Sequence, residues 1–349
     1  MKKTRARFNS VGTNPHPGPL PFRQREREKV LPCAFALENG AFIPQLDSIL
    51  PLLGGEGRGE VKRSLSLNWS RFVPLRYRAD ARALGFLALL GALYVVQWTG
   101  LVRHWLLLVL TCILSFVAFI IRHNHIHCRT FSNRHWNSAF EYLLVACTGQ
   151  AAAGIIAIHN ERHHDQYHSD EDCVRSSLVN FRWNWINLAA FFFAAVWNVH
   201  RAKPHDIARW KKEKPKLYRR FIAERLAIFI FAGGLLALDW KSTVIYFGIP
   251  WLFGQWGIVT INLLQHQGCE HESAYNHSRN VTGRWINWLF LNNGFHTAHH
   301  LRPALHWSRL AEFHRNQIEP KMRGDLNQRS ILAAIWQQFF APRKQKELL

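Results

Sequence analysis

Residues 105–127 read WLLLVLTCILSFVAFIIRHNHIH, an uncharged apolar run that passes directly into Arg122 and three histidines. A second apolar run, 83–102, precedes it, and Thr99 and Gly100 mark a turn between the two. Each run is long enough to cross a bilayer, whereas a soluble amphipathic helix would show polar residues in every turn. We predict a transmembrane hairpin with the histidines just outside the lipid, and a pair of buried core helices is the alternative.

Histidine recurs in three further clusters, HNERHH at 159–164, NLLQH at 262–266 and HTAHH at 296–300. On an α-helix, side chains three or four residues apart share a face, so each cluster is expected to point several polar side chains one way. His125 is offset by two residues from its neighbours and turns to another side of the helix. The predicted same-face sets are His123 with His127, His159 with His163, Asn262 with His266, and His296 with His299 and His300.

The clusters suggest metal binding. Neutral imidazole is the commonest protein ligand for metals, and an all-nitrogen set suits iron, zinc, copper or nickel far better than calcium or magnesium. Besides His125 the clusters contain nine histidines. A structural zinc takes four ligands and a catalytic zinc usually three, so this number favours two metal ions.

The remaining apolar stretches must leave all clusters on one side of the membrane. Stretches 139–158 and 181–199 are predicted to lie in the interface or to re-enter, because a single crossing would separate the clusters. Two crossings follow, 226–238 and 243–264, with a turn at 239–241 on the far side. Together with the first hairpin they predict four transmembrane helices.

A basic loop is predicted at 201–220, on the cytoplasmic side where positive loops are retained. It is a candidate to hold anionic lipid headgroups, a phosphate-bearing acyl carrier or an acidic electron donor, and topology alone explains it equally well. The net charge of +21 is therefore assigned to a membrane surface, and nucleic-acid binding is not expected. The six cysteines show no paired spacing and are predicted to be free thiols.

Three regions are expected along the chain. Residues 1–75 are rich in Pro, Gly and charge, are predicted to be disordered, and are a candidate for exclusion from the native domain. Residues 76–325 form the membrane domain. Residues 326–349 form a C-terminal helix, over 331–340, and a tail.

HNHIH, HNERHH and HTAHH resemble the H-x3-H, H-x2/3-H-H and H-x2-H-H boxes of the membrane fatty acid desaturase family, and NNGFHTAHH is similar to its bacterial members. The segment 262–266 resembles the family's N-x-x-x-H contribution from its fourth membrane helix. The resemblance covers about residues 80–317, and the boxes are specific in combination. It implies a non-haem site for two iron ions on the cytoplasmic face. The implied metal ligands are His123, His127, His159, His163, His164, His266, His296, His299 and His300, with Asn262 holding a metal-bound water.

The resemblance also implies the fold and the reaction. The fold is all-α and integral to the membrane, with four transmembrane helices, interfacial helices and a cytoplasmic helical cap around the dimetal site, in a bacterial cytoplasmic membrane. O2 and electrons from a separate donor such as ferredoxin convert two adjacent methylenes of a fatty acyl chain into a double bond and two waters. The acyl carrier (CoA, carrier protein or membrane lipid) stays open.

Two rivals stay open as well. A hydroxylase or carotenoid ketolase on the same scaffold would use overlapping boxes. A membrane metal-binding or metal-transport protein is the alternative from another class, and it predicts ligands inside the spans instead of at their ends.

Further residues near the clusters have expected roles. Acidic side chains are candidates to accept the second N–H of a ligating imidazole, and aromatic side chains are candidates for the wall of an acyl tunnel. Four other histidines are expected to be ordinary hydrogen-bonded or surface residues: His135, His168, His271 and His277. The acidic candidates are Glu161, Asp165, Asp170, Asp172, Glu270 and Glu272, and the wall candidates are Trp183, Trp185, Trp256 and Trp285.

Overall fold

The computed structural model describes residues 74–341, which are mainly helical. The predicted disorder of residues 1–75 falls outside the described residues except at Pro74 and Leu75, and Leu75 forms an antiparallel bridge with Phe131. The long helices of the described chain are α1 (Asp80–Trp98), α2 (Trp105–His127), α3 (Arg134–Thr148), α4 (Asn184–Glu213), α5 (Pro215–Thr243) and α6 (Ile249–His266).

Short elements carry the last histidine cluster and the C-terminal segment. They are α7 (Arg284–Leu289), α8 (His296–Leu301), α9 (Leu310–Phe313) and α10 (Ile331–Ile335). Strand β1 (Asn280–Val281) pairs in parallel with β2 (Asn327–Gln328). Single turns of 3₁₀-helix lie at Ser176–Leu178, Trp307–Arg309 and Gly324–Leu326, and π-helical segments lie at Ile156–His164, Val244–Gly248, His314–Ile318 and Trp336–Phe340.

The predicted hairpin of two apolar helices is present as α1 and α2. It turns at Gly100, whose φ of 81° is a conformation that favours glycine. Inside the pair the buried Gln97 amide donates to the Thr111 hydroxyl at 2.7 Å. The first run ends earlier than expected, because Leu101 and Val102 lie in the turn and not in α1.

The segment Pro215–His266 folds back on itself at Asp239. Asp239 has non-helical backbone angles (φ −153°, ψ 93°). The rings of Phe231 and Phe247 lie 5.8 Å apart, whereas sixteen residues of straight helix would span about 24 Å. The turn predicted at 239–241 is therefore confirmed.

In the described chain three helical segments are long and apolar enough to cross a membrane, namely Asp80–Trp98, Trp105–His127 and the doubled-back Pro215–His266. Of these, α2 packs along α6. The close approach depends on glycine, since a Cβ at Gly254 would lie 2.7 Å from the Phe119 ring and one at Gly257 would lie 2.9 Å from the Phe116 ring. Small residues at such contacts are typical of membrane helix packing.

The prediction of a basic loop at 201–220 is wrong. This segment is helical, because α4 continues to Glu213 and α5 begins at Pro215, with Lys214 as the only residue between them. Lys, Arg and Glu are good helix formers, and proline is well tolerated at the first position of a helix. Positive charge therefore indicated a loop where the chain forms the end of one helix and the start of the next.

The apolar stretch 139–158 does not form one continuous helix. It is broken after Thr148 by Gly149, which has a left-handed φ of 67° and would bring a Cβ within 2.5 Å of the Trp251 ring. The chain then enters the π-helix Ile156–His164. The predicted helical tail at 331–340 is present, and its Phe339 is buried with Phe191 and Leu263 in the same apolar cluster.

Candidate metal centre

One group of histidines forms where α2, the π-helix and α8 meet. One ring nitrogen from each histidine lies within 4.8 Å of the corresponding nitrogen of every other member. The Nε2 atom of His123 is 2.8 Å from that of His159 and 3.1 Å from that of His299. The five members are His123, His127, His159, His164 and His299.

A second group lies beside the first. It collects one histidine from the π-helix, one from the end of α6 and two from α8, again with ring nitrogens within 4.8 Å of one another. His296 Nε2 is 2.9 Å from His266 Nε2 and 3.1 Å from His300 Nε2. The four members are His163, His266, His296 and His300, so all nine histidines predicted from the sequence lie in the two groups.

The way the histidines divide between the two groups differs from the predicted same-face sets. His159 belongs with His164 in the five-histidine group, whereas His163 belongs to the four-histidine group. The reason is local: this segment is a π-helix, whose wider turn brings residues five apart onto one side. On the short helix α8, His299 likewise belongs to a different group from His296 and His300.

The spacing of these nitrogens fits binding to metal ions better than hydrogen bonding among the imidazoles. A neutral imidazole has one donor and one acceptor, so several converging Nε2 atoms cannot all be satisfied by hydrogen bonds. Two nitrogens bound to one ion at about 2.1 Å lie about 3.0 to 3.4 Å apart, close to the observed spacings. The buried Nε2 of His163 has no hydrogen-bond partner among the described residues. The donor set therefore fits two metal ions of the iron and zinc type.

Burial keeps these rings neutral. It lowers the pKa of His159, His164 and His299 well below the ordinary value, and neighbouring histidines lower it further. The pKa values of His296 and His300 are lowered in the same way. Neutral rings keep a lone pair available, which is the form in which histidine binds a metal.

Asp172 orients one ring of the four-histidine group. Its Oδ2 lies 3.0 Å from Nδ1 of His163, which leaves Nε2 facing the group. Burial alone raises the pKa of the Asp172 carboxyl, but His163 and the backbone amides of Val174 and His168 outweigh burial and hold the pKa below its usual value. Among the other acidic candidates, Glu161, Asp170 and Glu270 form ion pairs with Arg209, Arg175 and Arg323.

Tyr167 orients a second ring, and nothing in its sequence context indicated this. Its hydroxyl donates to the carbonyl of His277 at 2.7 Å and lies 2.9 Å from Nδ1 of His266 and 3.1 Å from Nδ1 of His271. Because its single proton is used on the carbonyl, the oxygen accepts from His266 Nδ1–H. His266 Nε2 is then left unprotonated and faces His296.

Asn262 and His125 lie outside both groups. The Asn262 amide donates to the Val174 carbonyl at 2.7 Å, and the proposed role of Asn262 in holding a water stays a prediction. His125 lies 2.9 Å from the Thr130 hydroxyl and 3.7 Å from the Glu141 carboxylate. The expectation that His125 turns away from the other histidines of its box is therefore confirmed.

A cavity of about 530 Å³ leads to the histidines. Its inner end is lined by His123, His159 and His296, and most of its wall is aliphatic or aromatic. A volume of this size is typical of small-molecule sites. The four tryptophans expected in the wall are exposed and do not line it, so that prediction is wrong. Trp210 and Trp251 line it instead.

Comparison with known proteins identifies the family. The family model described as Fatty acid desaturase matches residues 98–330, which is more than half of the chain and includes both histidine groups. No curated protein matches the chain. The chain belongs to the fatty acid desaturase family.

Proposed function

We propose that the protein is an O2-dependent fatty acyl desaturase with two non-haem iron ions. The observation that carries the proposal is the convergence of nine neutral histidines into two adjacent groups at the inner end of an apolar cavity. One ion would be held by the five-histidine group and the other by the four-histidine group. Iron bound there would supply the O2-dependent oxidation of the acyl chain.

The residues of the chain would bind and position the substrate. A methylene chain offers no polar handle, so its position must be set by the shape of an apolar wall. The cavity ends at His123, His159 and His296, which would place two adjacent methylenes beside the metal centre. The wall would also exclude water from the reaction.

The reaction balances with an external reductant. Two adjacent CH2 groups, one O2, two electrons and two protons give one carbon-carbon double bond and two waters. We propose that the electrons come from a separate protein such as a ferredoxin.

The proposed membrane arrangement has four crossings. These are α1, α2 and the two arms of Pro215–His266, and all four end near the histidine groups or at the opposite turns. Lys and Arg are concentrated at the junction of α4 and α5, and such residues favour the cytoplasmic side. The metal centre would then face the cytoplasm of a bacterial cell.

Elemental analysis of detergent-purified protein tests the metal centre. We expect about two irons per chain, and loss of iron in a His159→Ala/His299→Ala double variant. His135→Ala is the matched control, since His135 is exposed on α3 and outside both groups. Stoichiometric zinc that persists after expression in iron-rich, zinc-poor medium would contradict the proposal.

Product analysis tests the reaction. Incubation with O2, a reductant and acyl substrates should give a product two hydrogens lighter, detected by mass spectrometry. If labelled O2 places oxygen in the product, the protein is a hydroxylase or ketolase and not a desaturase.

A further inference from the structure

The cavity has a second end, between α4 and α5. Lys203, Ile207 and Trp210 of α4 line it from one side, and Phe221, Arg225 and Phe229 of α5 line it from the other. Lys203 and Phe229 are exposed, whereas Trp210 and Phe221 are buried, so the opening lies at the level of Lys203 and Phe229. An acyl chain that reaches the histidines would have its head group at this opening.

Two cations lie near the same ring, Phe221, at the opening. The Lys203 ammonium lies 5.9 Å, and the Arg225 guanidinium 5.6 Å, from the centre of the Phe221 ring. Within residues 74–341 neither forms a salt bridge. Partial burial, and then the positive charge of Arg225, lower the pKa of Lys203. An anion placed between the two cations would relieve this repulsion.

The acidic side chains nearby are already neutralised. Asp206, which also lines the cavity, accepts from Arg162 at 2.8 Å and from Arg209 at 3.4 Å. Glu224 forms an ion pair with Arg220 at 3.1 Å and accepts a hydrogen bond from the backbone amide of Ala153 at 2.7 Å. The uncompensated charge at the opening is therefore positive.

The surface around the opening is apolar. Ile222, Leu226 and Phe229 on α5 are exposed, as are Phe193 and Trp197 on α4. Large exposed apolar surfaces mark contact with a lipid or a protein partner, and α5 belongs to a segment apolar enough to cross a membrane. Cations at the edge of such a surface are typical of side chains that reach lipid phosphates. A water-soluble thioester would instead need a polar approach to the opening.

We propose that the substrate is an acyl chain still esterified in a membrane phospholipid, which enters sideways between α4 and α5 with its phosphate between Lys203 and Arg225. The proposal rests on the proposed desaturase function, because the cavity is taken to be the acyl site. It assigns the carrier that the sequence leaves open among CoA, carrier protein and lipid.

A binding experiment tests the site independently of catalysis. The full-length, iron-loaded protein in detergent is titrated with radiolabelled distearoyl phosphatidylglycerol and, separately, with stearoyl-CoA. We expect the phospholipid to bind, and Lys203→Gln/Arg225→Gln to weaken its binding roughly tenfold through loss of charge-assisted contacts. Lys203→Arg/Arg225→Lys should bind as the wild type does. Lys211→Gln/Lys212→Gln is the matched control, because it removes the same charge from exposed positions of α4 that do not line the cavity.

The remaining outcomes overturn the proposal. If stearoyl-CoA binding depends on Lys203 and Arg225 while phospholipid binding does not, the cations hold the phosphates of a soluble carrier. If the wild type binds no phospholipid, or if its phospholipid binding is unchanged in Lys203→Gln/Arg225→Gln, there is no lipid phosphate site at the opening. Iron content, measured on every variant, reports folding of the metal centre.

Failure of the proposed function would look different. If the phospholipid binds as expected but no double bond forms with O2 and reductant, the lipid site stands and desaturation fails. If stearoyl-CoA is desaturated at a rate independent of the two cations, desaturation stands and the lipid site fails.

Discussion

The two histidine groups differ in what holds their rings. In the four-histidine group, His163 is held by the Asp172 carboxylate and His266 by the Tyr167 hydroxyl. In the five-histidine group, the hydrogen-bond-range contacts of His159 and His299 within the described chain are with other imidazoles. Packing of helices therefore positions His159 and His299, whereas single polar atoms position His163 and His266. Metal retention by the four-histidine group should consequently be the easier one to change with a single atom.

The largest expected effect on iron content comes from removing a single ligand, in one variant from the five-histidine group and in another from the four-histidine group. His299→Ala and His296→Ala both act on α8 but affect different groups. Each should reduce iron from about two to about one per chain, and desaturation should fall by more than about a hundredfold because both ions are needed. Elemental analysis and Mössbauer spectra of the remaining ion check this. Identical spectra for the two variants would show that the groups are not separate sites.

A smaller effect is expected from Asp172→Asn. The change keeps the size of the side chain but removes the charge that orients His163. It should lower the affinity of the four-histidine group for its metal ion by about 10- to 100-fold. The measurement is release of iron to a chelator. Asp170→Asn is the control, since that exposed carboxylate pairs with Arg175 and with no other cation among residues 74–341. Equal iron release from both variants would show that Asp172 does not hold the metal site through His163.

Tyr167→Phe removes one oxygen atom and should act in the same direction, more weakly. Loss of one hydrogen bond to His266 is worth about 1 kcal/mol, or roughly a fivefold easier release of iron from the four-histidine group. Tyr94→Phe is the matched control, because its buried hydroxyl donates to the Cys147 carbonyl, away from both groups. If the two variants have similar thermal stability but Tyr167→Phe releases iron faster, the effect comes from the position of His266 and not from a general loss of stability.

The smallest effect on iron, and an equal one at both groups, is expected from Gly254→Ala. The new methyl group meets Phe119 at 2.7 Å, so α6 and α2 must separate slightly, at a cost of about 1–3 kcal/mol in unfolding free energy. Gly91→Ala in α1 meets nothing within 4 Å and should leave stability nearly unchanged. Denaturation curves and iron release measure both. Selective loss of one ion would show that the packing of α2 on α6 supports one group more than the other.

Much of this architecture could be predicted before the structure. The apolar run 105–121 is followed by Arg122 and then by the first histidines. It could be predicted as a helix because an uninterrupted apolar run and a regular spacing are properties of one segment and do not depend on the rest of the fold. The turn at Asp239 was expected because a charged pair around Trp240 interrupts a long apolar segment. The nine histidines were expected because histidine is rare enough that repeated clusters at helix ends are not ordinary surface composition.

Errors arose where a pattern permitted two local geometries. The spacing of 159–164 was interpreted with α-helical periodicity, and the π-helix changes which histidines share a side. The segment 201–220 was expected to be a loop because it is charged, although such residues form helices readily. Tryptophan content indicated a wall but could not place it, since the four chosen residues are exposed and Trp210 and Trp251 line the cavity.

The sequence by itself determined the apolar helices, the donor type and the number of metal-binding histidines, because these depend on composition and on spacing within one segment. Only the tertiary structure decided which nitrogens meet, that Asp172 holds His163, and that Tyr167, distant from His266 in sequence, contacts its ring. The same is true of Lys203 and Arg225, which come near the same Phe221 ring only because α4 and α5 pack together. Contacts between segments depend on how helices pack, and one sequence carries no direct record of that packing.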